Sequence, residues 1–525
     1  MTSREAQVMN PQPHAAQTQE APHTDADVVV VGGGPSGLAL AGELARSGVR
    51  VVLLERRMSG VQSRAGTILP RVLELFDSRG LAERFFARAR EIRDNPFVPV
   101  HIWAGMKPVH WRNLDTRFPH RLILPQSTTE EILTEDCEAV GVEMVRGATV
   151  AGLVQDEDGV TLDVDMEDGP ARRVTARWVV GCDGGRSAVR KAVGIDFVGR
   201  DETFTGIIVD IAMVAPWPEV RKVTDNDRGW VNAYPFARGD DPVLRFNIVH
   251  VDSRLAAKNE PVTTEEVRRD LTEILEMDLE FDDLLWASRY TDAMRLADRF
   301  REGRVFLVGD STRIHYPASG VGMNFCLQDA FNLGWKLAAV VKGQARPELL
   351  DTYEAERRPV VEALLESVNA QCAVQFDFSV GGIAYKRFFE RELMPLPDVN
   401  RRLALDLNGL AVDYPTPAGS HRLAGRRVHD VELQTEQGTT RIGELLRGMD
   451  FLLLDLTGDD PYRDSKHGAA PVQVVSGVPT LCPDELRGVG SLLVRPDGYV
   501  AWAEDGPGDP ARADAAIDQW LEVVR

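Results

Sequence analysis

At 525 residues, with 43% apolar and 27% charged side chains, the chain has an ordinary globular composition and is too long for one hydrophobic core, so two or three domains are expected. The 60 Lys+Arg against 81 Asp+Glu leave a net charge of −21, which repels a phosphate backbone and argues against nucleic acid as a partner. Five scattered cysteines with no CxxC spacing exclude a dithiol redox motif and a zinc knuckle, and no apolar run approaches the roughly 18 residues of a membrane span. The expectation is a metal-free cytoplasmic protein.

Residues 1–25, rich in Gln, Pro, His, Thr and Ala, read as a disordered tail rather than a signal peptide. The apolar β-branched run Asp27–Val31 marks a buried parallel strand. Glycines follow at once, then a helical stretch Leu38–Ser47 stopped by Gly48, then a strand Val49–Leu54 ending in Glu55, which makes one β-α-β unit. A helix is expected over Pro70–Phe86, aromatic-bearing strands around Val98–Leu124, and a helix over Thr129–Val140. Hairpins are expected through Val150–Val180, turning at Asp158-Gly159 and Asp168-Gly169. Strands Thr205–Val214, Trp230–Tyr234 and Val243–Val251 with a helix Thr263–Met277 give the middle of the chain a different character. Arg304–Val308 returns to the buried-strand pattern, Gly322–Val341 is a long helix, and helices continue to about residue 410. The charged group Glu354, Glu356, Arg357 and Arg358 reads as a solvated helix face. After Pro415 a small α/β unit is expected, with a strand Phe451–Leu456 and a hairpin Leu492–Trp502 turning on Pro496-Asp497-Gly498.

Gly32-Gly33-Gly34-Pro35-Ser36-Gly37 is a GxGxxG turn placed between strand and helix. Gly32 permits the tight turn, Gly34 lets backbone approach a pyrophosphate, and Gly37 allows close helix–strand packing. The helix N-terminus offers free N–H donors and a partial positive charge, while Glu55 at the next strand tip can accept from ribose hydroxyls, with Arg56 beside it. These features indicate a dinucleotide without choosing FAD over NAD. The choice comes from Gly309-Asp310 at the end of the later buried strand, which can deliver a carboxylate to the ribitol that only a flavin possesses. The following loop, Pro317 to Asn324, sets Gly320, Gly322, Met323 and Asn324 at the start of the long helix, where its dipole can stabilise charge on a reduced flavin. Trp230, Tyr234 and Phe246 could floor a substrate pocket, with core packing an equal alternative. Ser187 and Arg190 read as a helix-start cap and its partner, and His315 as a packing residue.

The stretches VVVVGGGPSGLALAGELARSGVRVVLLER, GCDGGRSAVRKAVGI and RVFLVGD…PASGVGMN…LQDAFNLGWKLA together resemble the single-component FAD-dependent aromatic hydroxylases, the para-hydroxybenzoate hydroxylase family (class A flavoprotein monooxygenases). The tail around Ser491–Gly498 resembles the thioredoxin-like third domain of its larger phenol- and polyketide-hydroxylase members; lacking CxxC, it is expected to be redox-inert. The resemblance implies an α/β architecture: a Rossmann-like FAD-binding domain (26–200 and 290–410), an inserted mixed β-sheet substrate domain (201–289, with 96–125 contributing), and a thioredoxin-like domain (415–525). It assigns Asp183 to FAD and nicotinamide binding, Arg64 to the flavin and nicotinamide approach, Gln126 to the flavin chain and Pro317 to the isoalloxazine face. Arg64 and Pro317 are thereby expected to position the flavin, with no acid or base residue assigned. Two departures lie beside the flavin: Ser311-Thr312-Arg313 where many members have Ala-Ala-His, and Gly320-Val321-Gly322 where Gly-Gln-Gly is usual.

The implied activity uses FAD, NADPH or NADH, and O2 to hydroxylate a large aromatic, a polycyclic polyketide of antibiotic biosynthesis, through a flavin hydroperoxide. Baeyer–Villiger oxygenation of a polyketide ketone on the same scaffold is the alternative, and a non-catalytic flavin-binding scaffold or carrier a more distant one. A homodimer is compatible with the sequence.

Overall fold

The computed structural model describes residues 24–59, 65–214, 222–237, 243–252, 255–463, 465 and 470–521; residues 1–23 of the expected tail and Arg64 lie outside them. The unalternating apolar runs become the central strands of a parallel sheet, because only a strand covered on both faces can bury every side chain. Strand β1 (Ala26–Val31), helix α1 (Pro35–Arg46) and strand β2 (Val51–Glu55) form the first unit. Helix α2 (Gln126–Ala139) leads to β3 (Glu143–Arg146), and a meander ends in β4 (Arg172–Gly181). The short β5 (Val305–Leu307) precedes helices α3 (Gly322–Val341) and α4 (Asp351–Gln375). The parallel order is β5-β4-β1-β2-β3, so β1 sits at the centre and its C-terminal end opens where α1 begins. Helices α1 and α3 cross closely, with a Cβ built on Gly334 only 2.8 Å from Glu43 Cβ.

A second sheet of five antiparallel strands runs in the order Lys222–Asn226, Gly229–Ala237, Val243–His250, Thr205–Met213 and Phe281–Thr291. Helix Thr264–Leu275 covers one face through Val267, Leu271 and Ile274. The other face looks toward the nucleotide-fold sheet. Strand Phe281–Thr291 escapes the sequence reading because Asp282 and Asp283 break its alternation. The expected single helix Pro70–Phe86 is instead two, Pro70–Asp77 and Ala82–Ile92, separated where Gly80 takes φ +72°.

The C-terminal unit is thioredoxin-like. Its sheet order is Val472–Ser476, Phe451–Asp455, Val489–Val494 and Val500–Asp505, with helix Pro510–Trp520 packed on it. Here the reading of residues 354–358 as a solvated face fails. Glu356 is 5% exposed and Arg357 0%, because α4 is roofed by this unit. Glu356 receives both guanidinium nitrogens of Arg495 at 2.7 and 2.9 Å and the Lys336 ammonium at 2.8 Å. Arg357 pairs with Asp329 of α3 at 2.7 Å. Only Glu354 and Arg358 keep partial exposure, paired to each other. A helical charge pattern cannot distinguish water from a partner domain.

A titratable clamp joins the same unit to the rest. His429 bridges Asp115 and Glu485. Burial disfavours its charge, but its hydrogen bonds to Asp115 and Glu485, despite Arg427, leave its pKa above the ordinary 6.5. A raised folded value means its stabilisation is full below the unfolded pKa and is lost as pH rises through the folded one. We therefore expect the melting temperature to fall with pH above neutrality by an amount worth about 1 kcal/mol. The slope should flatten in His429→Gln, and an unchanged slope by calorimetry across pH 6 to 9 would remove His429 from the account.

Among the described residues no helix is long and apolar enough to cross a membrane, and no cluster of His, Cys, Asp and Glu could hold a metal ion.

Candidate functional site

A cavity of about 850 Å³ opens between the C-terminal ends of the parallel strands and the uncovered face of the five-stranded sheet. One end is built by the first glycine turn. Gly32 takes φ +109°, and a Cβ there would lie 2.5 Å from the Cys182 carbonyl; a Cβ on Gly37 would lie 1.9 Å from the Gly32 carbonyl. Backbone meets backbone at both points, so both positions need glycine. Gly34 differs: nothing lies within 4 Å of its Cβ position, no side chain caps α1, and Gly34, Pro35 and Ser36 line the cavity. An open helix N-terminus of this kind suits a pyrophosphate.

Glu55 is buried behind this turn. One oxygen accepts from the Gly33 N–H at 2.6 Å; the other accepts from the Arg57 N–H at 2.9 Å and its Nε at 2.8 Å. Burial would raise the carboxyl pKa, but these hydrogen bonds outweigh it and hold the value below the ordinary 4.5. Three of about four acceptor directions are thus in use. Arg56 is exposed; its neighbour Arg57 makes the ion pair.

The second turn comes from β5. A Cβ on Gly309 (φ +69°) would sit 2.9 Å from Ser36 Oγ, so the two glycine turns touch although 273 positions separate them in the chain (309 minus 36). Asp310 follows, exposed on the cavity wall, its Oδ1 accepting from Cys326 Sγ at 3.2 Å. Pro317, Gly320, Gly322 and Met323 line the same cavity. Ser319, at φ +51°, is pinned by its hydroxyl to the Ile102 carbonyl or Gln371 Oε1, both at 2.9 Å, and its carbonyl accepts from His101 Nε2 at 2.6 Å.

Gln126 lines the cavity at the start of α2, its Nε2 donating to Glu130 at 2.8 Å. Asp183 does not line it; its Oδ2 accepts from the Ala188 and Val189 N–H groups at 2.6 and 3.1 Å. Asn324 is likewise withdrawn, buried, accepting from the Leu69 N–H at 2.7 Å and donating to the Thr67 carbonyl at 3.1 Å. Ser187 caps its short helix by accepting from the Arg190 N–H at 2.9 Å. The unusual Arg313 is fully buried and paired with Asp329, away from the cavity wall. His315 is on the wall, its Nδ1 donating to the Tyr316 carbonyl at 2.6 Å, and burial lowers its pKa below the ordinary 6.5.

On the sheet side, Trp230 and Tyr234 line the cavity, but Phe246 does not. Phe246 is 0% exposed in the cluster under helix Thr264–Leu275, because successive side chains of a strand alternate faces and its neighbour Asn247 takes the cavity side. The sequence reading missed Asn232, Asn247, Ser288 and Tyr290, all on the wall. The parity of Trp230 and Tyr234 already implied Asn232; aromatic character alone misdirected the choice of Phe246. The charged side chains on the wall are Arg93, Arg121, Lys258 and Asp310, a cationic balance in a strongly acidic chain.

The cradle therefore fits a flavin dinucleotide: an uncapped helix start, an exposed carboxylate beside it, and glycine backbone at a second helix start. Comparison with known proteins agrees. The FAD binding domain profile matches residues 25–368, and that of the aromatic-ring hydroxylase C-terminal region matches 421–523. The chain is 40% identical to the 12-dehydrotetracycline 5-monooxygenase/anhydrotetracycline 6-monooxygenase of Streptomyces rimosus subsp. rimosus over 489 residues, covering 91% of this chain and 95% of that protein. It is 39% identical to the rifampicin monooxygenase of Streptomyces venezuelae, with coverage of 91% and 95%. The solved structure of anhydrotetracycline hydroxylase from Streptomyces rimosus superposes with a TM-score of 0.83 at 38% identity, over 94% and 99% of the two chains.

Proposed function

Because the chain belongs to the FAD-dependent aromatic-ring hydroxylases, a family of flavin monooxygenases, we propose that it hydroxylates a polycyclic aromatic of the polyketide type, using reduced nicotinamide and O2 in the cytoplasm. Bound FAD supplies the redox chemistry, carrying electrons from the nicotinamide to O2. The polypeptide's share is placement and shielding. Gly34 and Ser36 would offer backbone N–H groups to the pyrophosphate, Asp310 would accept from the ribityl hydroxyls, and Gly320 to Met323 would present a helix start to the ring system. Glu55, with its remaining acceptor direction, would accept from the adenosine ribose, and Gln126 would meet the flavin chain. Arg64 stays in this proposal as a residue of the nicotinamide approach, while Asp183 acts by fixing the loop behind the cofactor.

The observation that carries the reading is the contact of Gly309 with Ser36, which sets both cofactor-binding turns on one cavity shared with the aromatic sheet face. A wall holding Trp230, Tyr290 and Tyr316 would help to exclude water from the reacting ring, as oxygen transfer without peroxide loss requires. The names of relatives that act on anhydrotetracycline and rifampicin support a large fused-ring substrate. The test is O2 uptake by the holoenzyme with NADPH and a panel of phenols and anthraquinones. At least one should stimulate uptake and return a product heavier by one oxygen with its carbonyl count unchanged. A product with a ketone converted to an ester would establish the Baeyer–Villiger course instead, and no stimulation by any member would overturn both.

A further inference from the structure

The strand register sorts the cavity face of the five-stranded sheet into rows. Trp230 pairs with Val249, Asn232 with Asn247, and Tyr234 with Arg245. Asn247 pairs onward with Ile208 and Arg245 with Asp210; these in turn face Ser288 and Trp286. One row is aromatic, with Trp230 at one side and Tyr290 at the other, and Tyr290 packs on Tyr316, the residue before Pro317, with ring centroids 5.6 Å apart. This row borders the flavin loop. The next row sets Asn232, Asn247 and Ser288 around Ile208. In the outermost row Arg245 and Asp210 satisfy each other at 2.6 and 2.8 Å beneath Trp286.

Within the middle row, Asn247 stands out. It is half-buried on the cavity wall, and its carboxamide has no hydrogen-bond partner among the described residues. A primary amide on the cavity wall offers a donor and an acceptor side by side. The donor and acceptor of the Asn247 carboxamide match an edge bearing neighbouring carbonyl and hydroxyl oxygens. Rows two residues apart along a strand are separated by about 7 Å, a reach that a single ring does not span but a fused-ring system does.

We propose that Asn247 is the specificity-determining residue that reads an oxygenated edge of a fused-ring substrate and thereby presents its far ring to the flavin loop. The proposal rests on the hydroxylase reading for its substrate but is tested by binding alone. Wild-type holoenzyme is titrated with 9,10-anthraquinone and 1,8-dihydroxyanthraquinone, reading flavin fluorescence without reductant. The dihydroxy compound should bind about tenfold more tightly, and Asn247→Leu should bring the ratio to about one. Phe246→Leu, on the neighbouring but opposite-facing position, should leave the ratio unchanged. A wild type without preference, or an Asn247→Leu protein that keeps it, overturns the proposal. If Asn247→Leu loses its flavin, Asn247→Ser is read by the same criterion. Loss of substrate-stimulated O2 uptake with every probe, while the binding ratios hold, would sink the hydroxylase reading and leave this one standing.

Discussion

Asp310→Ala protein should purify visibly less yellow than wild type, with its affinity for FAD reduced about 10- to 150-fold, the effect of losing one or two hydrogen bonds to a charged group. The carboxylate is exposed on the cavity wall and, among the described residues, its hydrogen-bond partner is the Cys326 thiol at 3.2 Å, so its removal disturbs little else. The ratio of flavin to protein absorbance after purification, followed by fluorescence titration of apoprotein, measures the loss. Asp310→Asn, which keeps one acceptor oxygen and the shape, should fall between the two. Alanine protein as richly loaded as wild type would remove Asp310 from the ribityl chain.

Arg495→Met carries the larger expected cost to stability. Arg495 is 2% exposed and holds Glu356 at 2.7 and 2.9 Å and Asp497 at 3.0 and 2.5 Å, inside a ring of Trp335, Tyr414, Tyr499 and Trp520. Burial alone would raise the Glu356 carboxyl, but Arg495 and Lys336 hold it at about 2, so it stays ionised at every working pH. Lys336 gains less from the same carboxylate: burial, with Arg495 nearby, pulls it to about 8. Without the guanidinium, two buried carboxylates share a single ammonium. Breaking such a pair from one side typically costs about 3–5 kcal/mol, even where exchanging the whole set for apolar residues would be neutral. Urea unfolding should show that loss, and protease should cut earlier between the C-terminal unit and α4. A midpoint within about 0.5 kcal/mol of wild type would show the network to be dispensable.

The half of the candidate site built by the glycine turns was legible because its residues obey local rules. Gly32, Gly37 and Gly309 are required by turns and close approaches that any sequence must solve with glycine, and Asp310 follows a strand too apolar to be anything but central. The sheet wall of the cavity was only partly legible. Aromatic character picked Trp230 and Tyr234, which line the cavity, but the same criterion chose Phe246, which a one-residue alternation sends to the opposite face. Asn247 carries no local signal, since an asparagine in a strand is informative only once its neighbours' direction is known. Glu356 and Arg357 misled for another reason: spacing along a helix reports which residues share a face, and what covers that face is decided about 140 positions later, by Arg495. Asp183 and Asn324 show the converse, motif residues whose side chains hold loops in place.

The meeting of Gly309 with Ser36 also orders events in the life of the polypeptide. Strand β1 must wait for β4 on one side, and the Asp310 wall for β5 beyond it, so the cavity is not complete until some three-fifths of the molecule has left the ribosome. A nascent chain halted before β5 would expose an apolar sheet edge at β4.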